Sequence, residues 1–258
     1  MLKQYDAALL AYERALYQAE SLEEHFQLLT SKSELYLQLG SYENAFKTCQ
    51  RGYFDQLSDT AKLKLKSNSA LAAYLNSEFN KAEFELLNLK LVLTDSSLME
   101  ETYFLQVLIH NEKQEWNKAK ELLLKSLDLT EMKAEHRDSL KSVVELMYQE
   151  ENIPKLKDPQ KAGTLSAFLP GVGHLYAGYF LEGFANVALQ LVGLGVGGVA
   201  IYFKYYITGV AVGYGMFQRF YSGGVRRAEY LANKKNYLRT RSFNDRVKLN
   251  YSFLNRLK

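Results

Sequence analysis

One stretch of this chain limits its folding more than any other. Residues 162–218 hold two formal charges, Glu182 and Lys204, among Gly, aromatic and branched aliphatic residues. Such a glycine content is costly in a water-soluble helix, where each Gly loses about 1 kcal/mol relative to Ala. Residues 183–203 carry no charge; as a helix they span about 31 Å, the thickness of a bilayer core of ~30 Å. Residues 205–218 form a second charge-free run. It is short for a span but reaches Val225 if Arg219 snorkels to the interface. Residues 162–181 are broken by Pro170, Gly171 and Gly173, which suits an interfacial or re-entrant segment, or a helix and turn leading into the first span. The reading is a membrane-embedded helical hairpin over 162–225. Its competitor is a buried helical pair in a second soluble domain.

Glycine spacing favours the hairpin. Gly193 with Gly197 and Gly209 with Gly213 are small-xxx-small pairs on successive segments, so the two helices can approach closely through them. Tyr202, Tyr205 and Tyr206 gather around Lys204 as an interfacial belt would. The lipid bilayer is therefore the expected partner of 162–225.

Charge divides the chain at the same place. Residues 1–160 hold 19 Lys and Arg against 26 Asp and Glu, whereas residues 161–258 hold 13 against 3. An acidic front and a basic back imply different surroundings. The linker, 150–161, contains Pro154 and Pro159 and lacks helical periodicity. The basic tail, 226–258, continues a run of cations from Arg219 and is expected to meet anionic lipid headgroups. Nucleic acid is not an expected partner, because no stacking platform or recognition motif accompanies the charge.

The first 149 residues repeat. Tyr5, Tyr42, Phe79 and Trp116 recur at intervals of 37, and each is followed three residues on by alanine: Ala8, Ala45, Ala82 and Ala119. Tyr12, Cys49, Leu86 and Leu123 come four further on, then Ala15, Gly52, Leu89 and Ser126. These steps put all four positions on one helix face. The small second residue lets a neighbouring helix approach, and the aromatic fills the gap at the helix start. Segments 26–39, 65–76 and 101–111 precede the later copies with their own apolar periodicity, so each unit is two antiparallel helices around a short turn. The helix over 134–149 reads as a closing cap. Exposed groove candidates are Lys32, Asn68 and Gln106. The first copy has only its second helix, which leaves two readings open: sequence upstream of Met1 including an export signal, or a self-sufficient N-terminal cap.

This pattern resembles the tetratricopeptide repeat (TPR) family, carried by Tyr5/Ala8, Tyr42/Ala45, Phe79/Ala82 and Trp116/Ala119 with Gly40 at a turn. The period departs from the family's, about 34 residues, and no proline closes each unit. The resemblance implies a helical solenoid of about three and a half repeats that binds a protein or peptide. Further on, Pro170-Gly171-Val-Gly173-His174-Leu-Tyr176-Ala-Gly178 resembles small bacterial membrane proteins with a Pro-Gly-x-Gly-[Gln/His]-x-Tyr-x-Gly signature before a two-helix hairpin, broadly similar to TM2-type domains. That resemblance implies membrane association, with His174 and Tyr176 at the interface.

Catalytic patterns fail on context. Gly193, Gly195 and Gly198 match G-x-G-x-x-G, but no acid follows until Glu229, and a dinucleotide site needs a preceding strand. His25, His110, His136 and His174 are scattered without metal-ligand spacing. The single Cys49 lies on the packed face in the repeat register and reads as a structural thiol. The expectation is an all-α, non-enzymatic scaffold or adaptor without cofactor or metal, integral to a bacterial membrane, its solenoid on the cytoplasmic or periplasmic side. The alternatives are a structural subunit of a bacterial envelope complex and a soluble two-domain helical interaction protein.

Overall fold

Twelve α-helices, and no strand among the described residues, make the chain all-α. The computed structural model describes residues 2–52, 57–129 and 132–255. It divides into two compact units at Asn152 and Ile153.

The first unit holds α1 (Leu2–Gln18), α2 (Leu22–Gln38), α3 (Tyr42–Cys49), α4 (Asp59–Leu75), α5 (Phe79–Val92), α6 (Tyr103–Glu112), α7 (Trp116–Leu129) and α8 (Ala134–Met147). Three repeat aromatics each begin a helix: Tyr42 opens α3, Phe79 opens α5 and Trp116 opens α7. Helices pack as successive pairs, α2 on α3, α4 on α5 and α6 on α7, with α8 against α7. Local chemistry starts them. Ser21 accepts the amide of Glu24 at the head of α2, and Ser58 accepts that of Ala61 at the head of α4.

The three pairs turn in the same way. Gly40, Ser77 and Gln114 stand 37 residues apart, and all three have positive φ, +70°, +61° and +65°. Each ends its helix with two hydrogen bonds: Gly40 N to Leu37 O with Ser41 N to Tyr36 O, Ser77 N to Tyr74 O with Glu78 N to Ala73 O, and Gln114 N to Asn111 O with Glu115 N to His110 O. This is the left-handed C-terminal cap that satisfies carbonyls otherwise left open.

Ala45, Ala82 and Ala119 are fully buried, and Cys49, Leu86 and Leu123 lie beneath them at 0–3% exposure. Tyr42, Phe79 and Trp116 are half-buried. The small residue thus sits at the point of closest helix approach, and the aromatic covers its edge. Tyr5 and Ala8 in α1 are half-buried.

The second unit holds α9 (Pro159–Phe168), α10 (Val172–Ala177), α11 (Phe180–Tyr202) and α12 (Tyr206–Asn255). Asp158 caps α9, with Pro159 in its first turn. The linker segment therefore ends inside a helix. α12 runs for 50 residues, so the second apolar run and the basic stretch from 226 share one continuous helix. Ala162 and Ala177 pack on Ala228, Leu231 and Ala232 of α12.

Candidate functional site

The second unit presents apolar side chains outward. α11 is 23 residues long and its most apolar window is 17% buried; as a helix it measures about 35 Å, long enough to cross a bilayer core. Leu181, Phe184, Leu191, Val192 and Val199 of α11, and Ile207 and Val210 of α12, are each more than half exposed. So are Tyr202, Phe203, Tyr205 and Tyr206 around the α11–α12 turn.

Four glycines lie on the inside of this pair. A Cβ on Gly197 would come within 2.8 Å of Gly213 Cα and 3.0 Å of Gly209 O, and one on Gly193 within 3.2 Å of Met216 Cβ. The structure thus brings Gly193, Gly197, Gly209 and Gly213 onto one seam. Gly195, Gly198 and Gly215 face open space. Toward the base of the pair the seam turns polar. Gln190 donates to Asn186 at 2.9 Å, Asn186 to Phe220 O at 3.4 Å, and Glu182 pairs with Arg227 at 2.8 Å.

The Pro170–Gly178 motif builds the foot of α11. Gly171 has φ +86° and lies where a Cβ would come within 2.7 Å of Gly183 O. A Cβ on Gly173 would strike the carbonyl of Ala162. Gly178, at φ +89°, ends α10 with the amide of Tyr179 bonded to His174 O. Each glycine therefore has its own steric reason, and Pro170 sits in the turn before them. His174 is sealed at 1% exposure, with Nδ1 3.5 Å from Ser166 Oγ; it is a packed side chain rather than a surface one. Tyr176 is half-buried, and its hydroxyl accepts the amide of Asp158 at 3.1 Å.

In the first unit, a cavity of about 290 Å³ opens between α5, α6 and α7. Leu86, Leu87, Met99 and Ile109 give it apolar walls, and Lys90, Gln106, His110 and Lys118 bring polar groups. Beside it, Glu83, His110 and Glu115 place ligand-capable atoms within 4.8 Å of one another, a donor set chemically suited to a transition metal. The ammonium of Lys113 already occupies that charge position. It pairs with Glu83 and lies 3.5 Å from Glu115, while Lys118 reaches Glu115 at 3.0 Å. Lys118, with help from His110 and Lys113, holds the Glu115 carboxyl down to about 2. The cluster is an ion-pair network that fixes the α6–α7 turn.

Of the groove candidates, Lys32 is 3% exposed and paired with Glu13, which Arg51 also binds at 2.8 Å. The expectation that Lys32 is exposed is therefore corrected: the carboxylate of α1 draws its ammonium inward. Asn68 donates to Ser33 Oγ at 3.2 Å, and Gln106 to Thr102 Oγ1 at 2.8 Å while lining the cavity. The repeat pattern did not reveal the buried pair Lys66–Glu85, 2.9 Å apart and 9% and 5% exposed. Gln50 links Glu85 to Ser69 by donating to each at 3.0 Å. The only sequence trace of these pairs is a common interval of 19 residues, since Lys32 follows Glu13, and Glu85 follows Lys66, by that number. Cys49 is fully buried and its thiol is pushed up to about 12, chiefly by burial.

No protein-family model, curated protein or solved structure matches the chain.

Proposed function

We propose that the chain is a non-enzymatic scaffold or adaptor, anchored in a bacterial membrane by the α11–α12 hairpin and binding a protein or peptide on a TPR-like solenoid. The observation that carries the anchor is the inversion of α11: Gly193 and Gly197 inside, large aliphatics outside. In water this arrangement leaves a broad apolar surface uncovered. In lipid it costs nothing, and close backbone approach is what holds such helices together. The basic residues of α12 beyond the apolar run meet anionic headgroups.

The α5–α7 cavity supports the binding half of the reading. It is concave, apolar at its walls and edged by lysines, and it is of a size to take one large apolar side chain of a partner. Cell fractionation tests the anchor: the full chain should resist extraction by salt and alkaline carbonate and enter solution with detergent. Recovery in the soluble fraction without detergent would sink the anchored reading. For the binding half, Leu87→Asp should abolish capture of the partner from detergent extracts, because Leu87 is 55% exposed at the cavity and its loss leaves the core intact.

A further inference from the structure

Two ammoniums share one aromatic ring at the foot of α11. Lys157 Nζ lies 4.7 Å and Lys161 Nζ 5.6 Å from the ring centroid of Tyr176. Each contact is favourable alone, but two like charges on one ring repel each other. Among the described residues neither lysine is ion-paired to a carboxylate. Asp158, the one acid between 153 and 161, is turned into the head of α9, where its Oδ1 accepts the amides of Gln160 at 2.8 Å and Lys161 at 3.1 Å. The Tyr176 hydroxyl accepts the Asp158 amide, and its own hydrogen has no acceptor among the described residues. Two ammoniums and one hydroxyl hydrogen around a single ring are therefore left without an anionic or accepting partner among the described residues.

The backbone that carries Lys157 is held in place before any ligand arrives. Asn236 of α12 clamps the backbone of Lys157 from both sides, accepting its amide and donating to its carbonyl, each at 2.7 Å. Arg239 binds the carbonyl of Lys155. Tyr176 stands four residues before the first residue of α11. With α11 across a bilayer, the donors come level with the headgroups of the leaflet at its foot.

We propose that Lys157, Lys161 and Tyr176 form a site for the phosphate of an anionic phospholipid headgroup. A phosphate diester supplies the missing acceptor oxygens and the negative charge that two ammoniums on one ring require. The site rests on the membrane-anchored reading, but it differs from general attraction along α12 in having its donors grouped around one ring.

The test uses the full chain in a neutral detergent, with native mass spectrometry counting bound phosphatidylglycerol or phosphatidylcholine. Phosphatidylglycerol should bind about tenfold more tightly, and K157Q/K161Q should remove that preference while circular dichroism shows helicity unchanged. K157R/K161R should keep it, and so should K234Q/K235Q, which removes the same charge elsewhere on the unit. An equal loss in K234Q/K235Q would overturn the site in favour of diffuse attraction. Displacement by inorganic phosphate as effective as by added phosphatidylglycerol would overturn the lipid assignment in favour of a soluble phosphate. A parallel arm separates this result from the anchor: if the chain fails to enter phosphatidylcholine vesicles, its binding of water-soluble dihexanoyl phosphatidylglycerol is measured instead. Loss of that binding in K157Q/K161Q alone would keep the site while the anchor falls; equal binding by both chains would overturn the site.

Discussion

The helix pairs of the first unit and the α11–α12 pair close with the same turn and pack by opposite rules. Lys204, at φ +66°, ends α11 as Ser77 ends α4, with the amides of Lys204 and Tyr205 bonded to Ile201 O and Ala200 O. Past that turn the likeness stops. In the first unit the inside holds Leu29, Leu65, Leu89 and Val107 at 0% exposure, together with the buried Lys66–Glu85 pair. In α11 and α12 the inside holds glycine, and the large aliphatics lie outside. Water drives apolar side chains inward, because their burial is what folding gains. Where the surroundings are themselves apolar that gain vanishes, and contact between backbones takes its place. The turn is a backbone device and serves both pairs; the side-chain arrangement is what separates them.

Breaking each interior in its own way sharpens the contrast. The largest effect is expected at the buried pair: Glu85→Ala takes the carboxylate away from the buried Lys66 ammonium and should cost about 3–5 kcal/mol. Trp116, the one tryptophan, reports it by fluorescence during denaturation in detergent, since it lies in the first unit. Lys66→Met with Glu85→Leu should recover most of the loss, because it removes both charges. A double variant as unstable as the single would mean that the pair itself, and not the imbalance of buried charge, sets the stability. In the second unit the counterpart is Gly213→Val, which forces α11 and α12 apart and should cost about 1–3 kcal/mol. Gly215→Val is its control, because nothing lies within 4 Å of that position. Equal thermal stabilities of the two variants in detergent micelles would break the seam argument.

The all-α class was legible in the sequence because its cause is local: aromatic and alanine spacing sets a helix face, and Tyr42, Phe79 and Trp116 each open a helix. The length of α11 was legible for the same reason. Its end falls at Tyr202, just before the interrupting Lys204. The continuation of the second apolar run into a 50-residue helix was not, because a change from apolar to charged composition alters the surroundings of a helix without ending it. Nor were the polar partners. Glu13 and Lys32 look solvated in a one-residue reading, and their pairing depends on how α1 lies on α2, which no local spacing encodes. The turn residues were half legible. Gly40 announces a left-handed cap, but Ser77 and Gln114 adopt the same conformation without a glycine to mark them.

That last difference gives a smaller effect with a definite sign. A non-glycine residue in the left-handed region carries about 1 kcal/mol of strain that glycine lacks. Ser77→Gly and Gln114→Gly should each stabilise the first unit by up to about 1 kcal/mol, and Gly40→Ala should destabilise it by a similar amount, all read from the denaturation midpoint of Trp116 fluorescence. Lys204→Gly extends the comparison to the second unit and should raise the thermal midpoint in detergent without moving the Trp116 transition.

The smallest effect is the acid sensitivity of the first unit. Arg51 first, then Lys32, holds the Glu13 carboxyl down to about 2, from 4.5. A carboxyl lowered by folding contributes stability that is complete above its unfolded value and is lost as pH falls from 4.5 toward 2. Glu13 is 46% exposed, so solvent screens the contribution to below about 1 kcal/mol. Glu13→Gln should flatten this part of the pH dependence and leave the Lys66–Glu85 pair untouched. If acid instead loosened the α11–α12 pair first, the ion pair at its base, Glu182 with Arg227, would be the stronger electrostatic tie. The two interiors would then differ in side-chain size but not in their reliance on charge.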